Sequence, residues 1–193
     1  MTSSIPATVG SALLATAITL TLVAGPAFAV DKPVNQAPTR AISTIDWDAA
    51  RSIRAGANDE DEAIINAFIA RDPAGLTEMK LPVMILGANA EADLPAFQGQ
   101  GNAYTAYYVL EGAQLSIMGA KTLLVNVPGL SFRHDASTYE STGDGADHMF
   151  NRFGAFYTLR ITCDAPTKDT RCIEPSYLAE LAQTLTVAKG SEQ

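Results

Sequence analysis

The stretch Arg152–Cys163, RFGAFYTLRITC, decides how this chain is read. Its odd positions, Phe153, Ala155, Tyr157, Leu159, Ile161 and Cys163, are apolar, while the even positions run Arg152, Gly154, Phe156, Thr158, Arg160 and Thr162. Side chains alternate across a strand, so a period of two over twelve residues predicts a strand with one face on a core. Phe156 is the one aromatic on the opposite face, between Gly154 and Thr158. It reads either as the wall of an apolar groove or contact surface, or as packing beneath a loop.

Beyond this strand lie the only two cysteines, Cys163 and Cys172, nine positions apart and without CxxC spacing. In an oxidising compartment the expectation is one local disulfide. From Pro175 to Leu185, Leu178, Leu181, Ala182 and Leu185 fall at i, i+3, i+4 and i+7, and Pro175 suits a first helical turn. A helix laid across the sheet is predicted there, followed by a short strand over 185–188.

Before the strand, three β-rich runs, Tyr104–Leu110, Ala113–Met118 and Lys121–Val127, are separated by Glu111-Gly112 and Gly119-Ala120. Two-residue connections containing glycine predict an antiparallel meander of tight hairpins, with Gly119 at the first position of a type II′ turn. In the first run Tyr104 and Tyr108 share one face and Tyr107 takes the other. Further back, the apolar run from Leu81 to Leu86 reads as a strand covered on both sides, and residues 88–102 read as a long loop. Asn58 can cap a helix over 59–71 that Pro73 ends, and the acidic residues Asp59–Glu62 favour the positive end of its dipole. No repeat and no βαβ alternation occurs. The predicted fold class is therefore α+β, a single domain whose antiparallel hairpin meander carries a helix packed on it near the C-terminus.

Residues 1–29 hold no charged side chain, and the apolar stretch Ser11–Ala24 runs into Gly25-Pro26-Ala27-Phe28-Ala29, a small-x-small cleavage pattern. We read 1–29 as a secretory signal, although its first residues lack Lys and Arg. An uncleaved anchor is the alternative, against which the run is shorter than the roughly 20 residues that span a bilayer. Residues 30–43, polar and without apolar period, are expected to form a flexible lead-in, and 44–193 the domain. The expected location is periplasmic or secreted, with no stable membrane insertion after cleavage of the signal.

Thirteen Lys and Arg stand against twenty-one Asp and Glu, a formal charge of −8, with 47% hydrophobic residues. This is the composition of an ordinary globular protein, and it excludes a nucleic-acid partner, which requires clustered positive charge. The only histidines are His134 and His148. With Asp135, Glu140 and Asp147 they lie in one polar segment of fifteen residues, and Arg152 and Phe156 follow it closely. A carboxylate beside an imidazole can fix its tautomer, but sequence neighbours in an extended chain point to opposite faces. The turn from Thr142 to Asp147, with Glu140, offers oxygen ligands for calcium yet lacks the EF-hand order and reads as a turn. There is no GxSxG, HExxH, SxxK or phosphate-binding loop.

These features predict no catalytic residue, no metal and no cofactor. They point instead to an exported binding or envelope-accessory protein that takes a protein or small-molecule partner through His134, Asp135, Glu140, Asp147, His148, Arg152 and Phe156. The alternative is a metal-dependent or histidine-based hydrolase with its site in the 131–148 loop.

Arg152-Phe153-Gly154, Tyr157, Cys163, Asp169–Cys172 and the helix Tyr177–Leu185 resemble the C-terminal part of a group of uncharacterised exported proteobacterial proteins. That group carries an RFGxxY strand, a Cys–Cys pair and a helix, and the run from Leu81 to Leu86 is similar to it as well. The resemblance spans less than half of the chain beyond the signal. It implies a periplasmic address and the disulfide, and no activity. The architecture is also similar to small α+β sheets of the PsbP type, which are commonly binding or assembly modules.

Overall fold

The computed structural model describes residues 39–90, 92–125 and 137–189. In chain order the elements are β1 (Thr39–Ile42), α1 (Trp47–Ala55), α2 (Asp59–Arg71), α3 (Pro73–Thr77), β2 (Val83–Leu86), β3 (Ala96–Gln100), β4 (Ala103–Leu110), β5 (Ala113–Ala120), β6 (Thr122–Val125), β7 (Thr138–Ser141), β8 (Gly145–Arg152), β9 (Ala155–Cys163), α4 (Thr170–Ile173), α5 (Pro175–Gln183) and β10 (Leu185–Lys189). The fold is α+β. Six antiparallel strands run in the order β3-β4-β5-β9-β8-β7, and β2 pairs with β10 and β1 with β6 in separate two-stranded ladders. Residues 1–29, read as a signal, and 30–38 of the lead-in lie outside the described residues; its next four, Thr39–Ile42, pair with β6.

The alternation read from Ala155 onward is the strand β9, with Ala155, Tyr157, Leu159, Ile161 and Cys163 all buried. It lies between β5 and β8, and Leu115 and Ile117 of β5 join Leu159 and Ile161 on the same face. Each such aliphatic side chain taken from water contributes roughly 1.5–3 kcal/mol. Onto this face comes β2, buried at all four positions, with β10 beside it. Helices α1 and α2 in turn pack on β10.

One edge of β2 is occupied by β10, and tyrosine hydroxyls of the main sheet serve backbone groups that β10 leaves free. Tyr104 accepts from Met84 N at 2.8 Å and donates to Met84 O at 3.2 Å. Tyr108 accepts from Leu86 N at 2.9 Å, and Tyr157 donates to Pro82 O at 2.9 Å. Burial pushes all three phenols above their ordinary pKa, so they remain hydroxyls and keep both donor and acceptor. As the alternation required, Tyr104 and Tyr108 face the core while Tyr107 is half exposed.

The disulfide Cys163–Cys172 is present and joins the end of β9 to α4. Arg171 of α4 pairs with its own N-cap Asp169 and donates to Glu111 O in the β4–β5 turn at 2.9 Å. Tyr139 of β7 shares its hydroxyl proton between Cys172 O and Ile173 O. The bridge thus pins a short helix that touches the sheet on either side of β9. The helices over 59–71 and from Pro175 are where the apolar spacing places them, and Asn58 accepts from Asp61 N at 2.8 Å as the cap.

Four expectations are corrected. The twelve-residue strand is two strands, because Phe153 and Gly154 both take positive φ (55° and 74°) and form a two-residue hairpin turn between β8 and β9. A Cβ on Gly154 would meet Thr44 O at 2.1 Å, so this turn needs glycine for space as well as for φ. Gly119 does not turn the chain: it lies within β5, where a Cβ would meet the Tyr104 ring at 2.3 Å, and β6 leaves the meander to pair with β1. Within the loop expected over 88–102, residues 96–100 form the edge strand β3, with Phe97 packed edge-on to Phe68. Finally, residues 138–147 are not a loop, since β7 and the start of β8 form a hairpin there.

Candidate functional site

Strand β8 carries most of the candidate residues, and its pleat divides them between two faces of the sheet. On the face away from the core, Asp147 lies opposite Glu140 of β7 and Arg160 of β9. Arg160 grips Asp147 in a two-pronged pair, Nε to Oδ1 at 2.7 Å and Nη2 to Oδ2 at 2.5 Å. The carboxylate side chain is 10% exposed and the guanidinium 50%, and the bond raises the pKa of Arg160. This is a half-screened ion pair that neutralises Asp147 where β8 would otherwise bury a lone charge. Glu140 is exposed beside it, and Phe156 is half buried on the same side, opposite Asn151.

On the core side the residues are His148, Phe150 and Arg152, opposite Leu159, Tyr157 and Ala155 respectively. His148 is 4% exposed, and its Nδ1 is buried with no hydrogen-bond partner among the described residues. Burial lowers its pKa, so the imidazole is held neutral. Its ring lies 5.7 Å from Phe150, which stacks beside Tyr157 at 5.6 Å. Arg152 completes the row, its guanidinium carbon 5.4 Å from the Phe150 centroid. Among the described residues Arg152 has no hydrogen-bond or ion-pair partner, and desolvation lowers its pKa.

His148 is therefore not a loop histidine, as its polar sequence context suggested, but a core-facing one. Asp147 and His148 point to opposite sides, so the fold brings Glu140 and Asp147 together on the outer face and separates both from His148. His134 and Asp135 lie outside the described residues. Among the described residues no group of three or more His, Cys, Asp or Glu is placed to hold a metal ion. At the opposite edge of the sheet, by β3 and β4, two open hollows of about 480 and 470 Å³ meet at Glu78 and Gln100, separated from β8 by β5 and β9.

Sequence reading missed Phe150, Tyr157 and Arg160 as partners of the candidate residues. The sequence carries little signal for this: Met149 and Phe150 are adjacent apolar residues, and the inward set shifts from odd positions in β9 to even positions in β8 across the turn. No protein-family profile, no curated protein and no solved structure matches this chain. The geometry of β8 and its neighbours is thus what any functional reading has to work from.

Proposed function

We propose that the chain is an exported protein of the cell envelope, periplasmic in address, that acts by binding rather than by catalysis. The observation that carries the export is the Cys163–Cys172 disulfide, since such bonds form and persist in oxidising compartments. The signal-like residues 1–29 and the resemblance of the C-terminal part to exported proteobacterial proteins support the same address. No described helix is long and apolar enough to cross a membrane. Support for binding comes from β8, whose inner row ends in the Arg152 guanidinium over the Phe150 ring, and from apolar side chains left outside, Val109 at 83% and Tyr107 at 51% exposure.

The test is to express the full chain in a Gram-negative host, fractionate the cells, and compare native and denatured masses of the recovered protein. The expected result is a periplasmic chain that has lost residues 1–29 and two thiol hydrogens. A full-length, reduced protein confined to the cytoplasm overturns the reading.

A further inference from the structure

The hollow beside β3 and β4 measures about 480 Å³, within the roughly 300–1,000 Å³ of small-molecule clefts. Its polar lining comes from Glu78, Gln98, Gln100 and Thr105, and among the described residues that border it Glu78 is the one that carries charge. Gln98 and Thr105 are cross-strand partners, and Gln100 follows Gln98 on the same face of β3. Both glutamines are exposed. Tyr104 also borders the hollow but lends only ring surface, since its hydroxyl is engaged by Met84. Beyond Thr105 on the same face of β4 stands Tyr107, 51% exposed, opposite Ala96 on β3 and Ser116 on β5. Both partners are too small to cover its ring. As the diagonal neighbour of Gln98, Tyr107 lies roughly 7–8 Å from it, close enough for one ligand ring to meet both.

We propose that this strip is a binding site for a glycan of N-acetylated hexosamines. Carboxamides and hydroxyls both donate and accept hydrogen bonds, as do the groups around a sugar ring, so Gln98, Gln100 and Thr105 match such a ligand. The N–H and C=O of an acetamido group point in opposite directions. Two carboxamides spaced roughly 7 Å along β3 bracket that group, one accepting from its N–H and the other donating to its C=O. The Glu78 carboxylate accepts from sugar hydroxyls and repels an anionic ligand. Tyr107 offers an apolar ring face with a polar tip, which suits a pyranose whose C–H face is apolar and whose rim is hydroxylated. A second hollow, of about 470 Å³, joins the first at Glu78 and Gln100, which gives room for more than one sugar.

This inference rests on the binding reading above and names its ligand, but its test does not depend on export. The full chain, oxidised and as recovered from the host, is titrated calorimetrically with tri-N-acetylchitotriose and, separately, with cellotriose, which has the same linkage without acetamido groups. We expect saturable binding of the first and binding about tenfold weaker, or none, of the second. Tyr107→Ala and Gln98→Ala, both at exposed positions, should each weaken the binding of tri-N-acetylchitotriose about tenfold with the near-ultraviolet circular dichroism otherwise native. If Tyr107→Ala does not fold, Tyr107→Thr takes its place with the same expectation. The site is refuted if the folded wild-type chain shows no saturable binding of tri-N-acetylchitotriose, if cellotriose binds as tightly, or if either folded variant binds as tightly as the wild type. In those cases a chain found processed and oxidised in the periplasm still supports export, and the two failures remain distinct.

Discussion

Tyr104 uses one hydroxyl for both polar groups of a single residue, accepting from the N–H of Met84 and donating to its carbonyl. All of these atoms are buried, so removing the hydroxyl leaves a donor and an acceptor facing a ring edge instead of a partner. An unsatisfied buried backbone group costs roughly 1–3 kcal/mol. Tyr104→Phe should therefore lower the unfolding free energy by about 1–3 kcal/mol, read from urea denaturation. His148 makes a second prediction at this scale. Its pKa in the fold is lowered from 6.5 by burial, so the unfolded chain takes up a proton on this side chain before the native one does. The stability tied to His148 is complete above pH 6.5 and is lost as pH falls from there through the depressed native value. Urea midpoints between pH 7.5 and 5 should fall for the wild type, and His148→Phe should flatten that part of the profile. An identical decline in both proteins would show that His148 does not contribute.

The disulfide closes a loop with a sequence separation of nine between β9 and α4. A short loop restricts the unfolded chain modestly, and the chain-entropy account gives about 2–3 kcal/mol for one of this size. Reduction, or the double change Cys163→Ala with Cys172→Ala, should lower stability by that amount in chemical denaturation while leaving the far-ultraviolet circular dichroism native at low denaturant. The elements themselves were unequally legible. β9 and α5 could be read because one face of each is buried against the core and the other is not, which leaves a period in the sequence. The hairpin at Phe153-Gly154 was concealed because its turn lacks the Asn-Gly or Asp-Gly pair that normally marks two positive φ angles. Phe153 holds φ 55° all the same, kept there by packing of its side chain on the core and by its carbonyl accepting from Asp46 N at 2.9 Å. Gly119 misled for the opposite reason: a glycine chosen to make room for a tyrosine ring looks the same in sequence as one chosen to turn the chain.

At the scale of the molecule, α+β class and an antiparallel sheet followed from local patterns, whereas the partners of β2 and β6 did not. Nothing in the run from Leu81 to Leu86 announces that its neighbour is β10, because a fully buried strand has no polar face to indicate which side meets what. The candidate site was half legible for a related reason. The residue types were picked out around 140–156, but their sorting into an outer ion pair and an inner aromatic row depends on the pleat of β8, which appears only once 138–147 is recognised as a hairpin.

The pairing of β2 with β10 also bears on when this domain can come into being. Lys189, at the end of β10, donates its Nζ to Thr77 O across a separation of 112 residues. The inner layer that the three tyrosines clasp therefore cannot close until nearly the whole described chain has been delivered, and contacts so distant form slowly. Were the chain exported as proposed, emerging N-terminus first, it would stay open and threadable through most of its passage across a membrane and would lock only after its C-terminal strand had followed it to the other side.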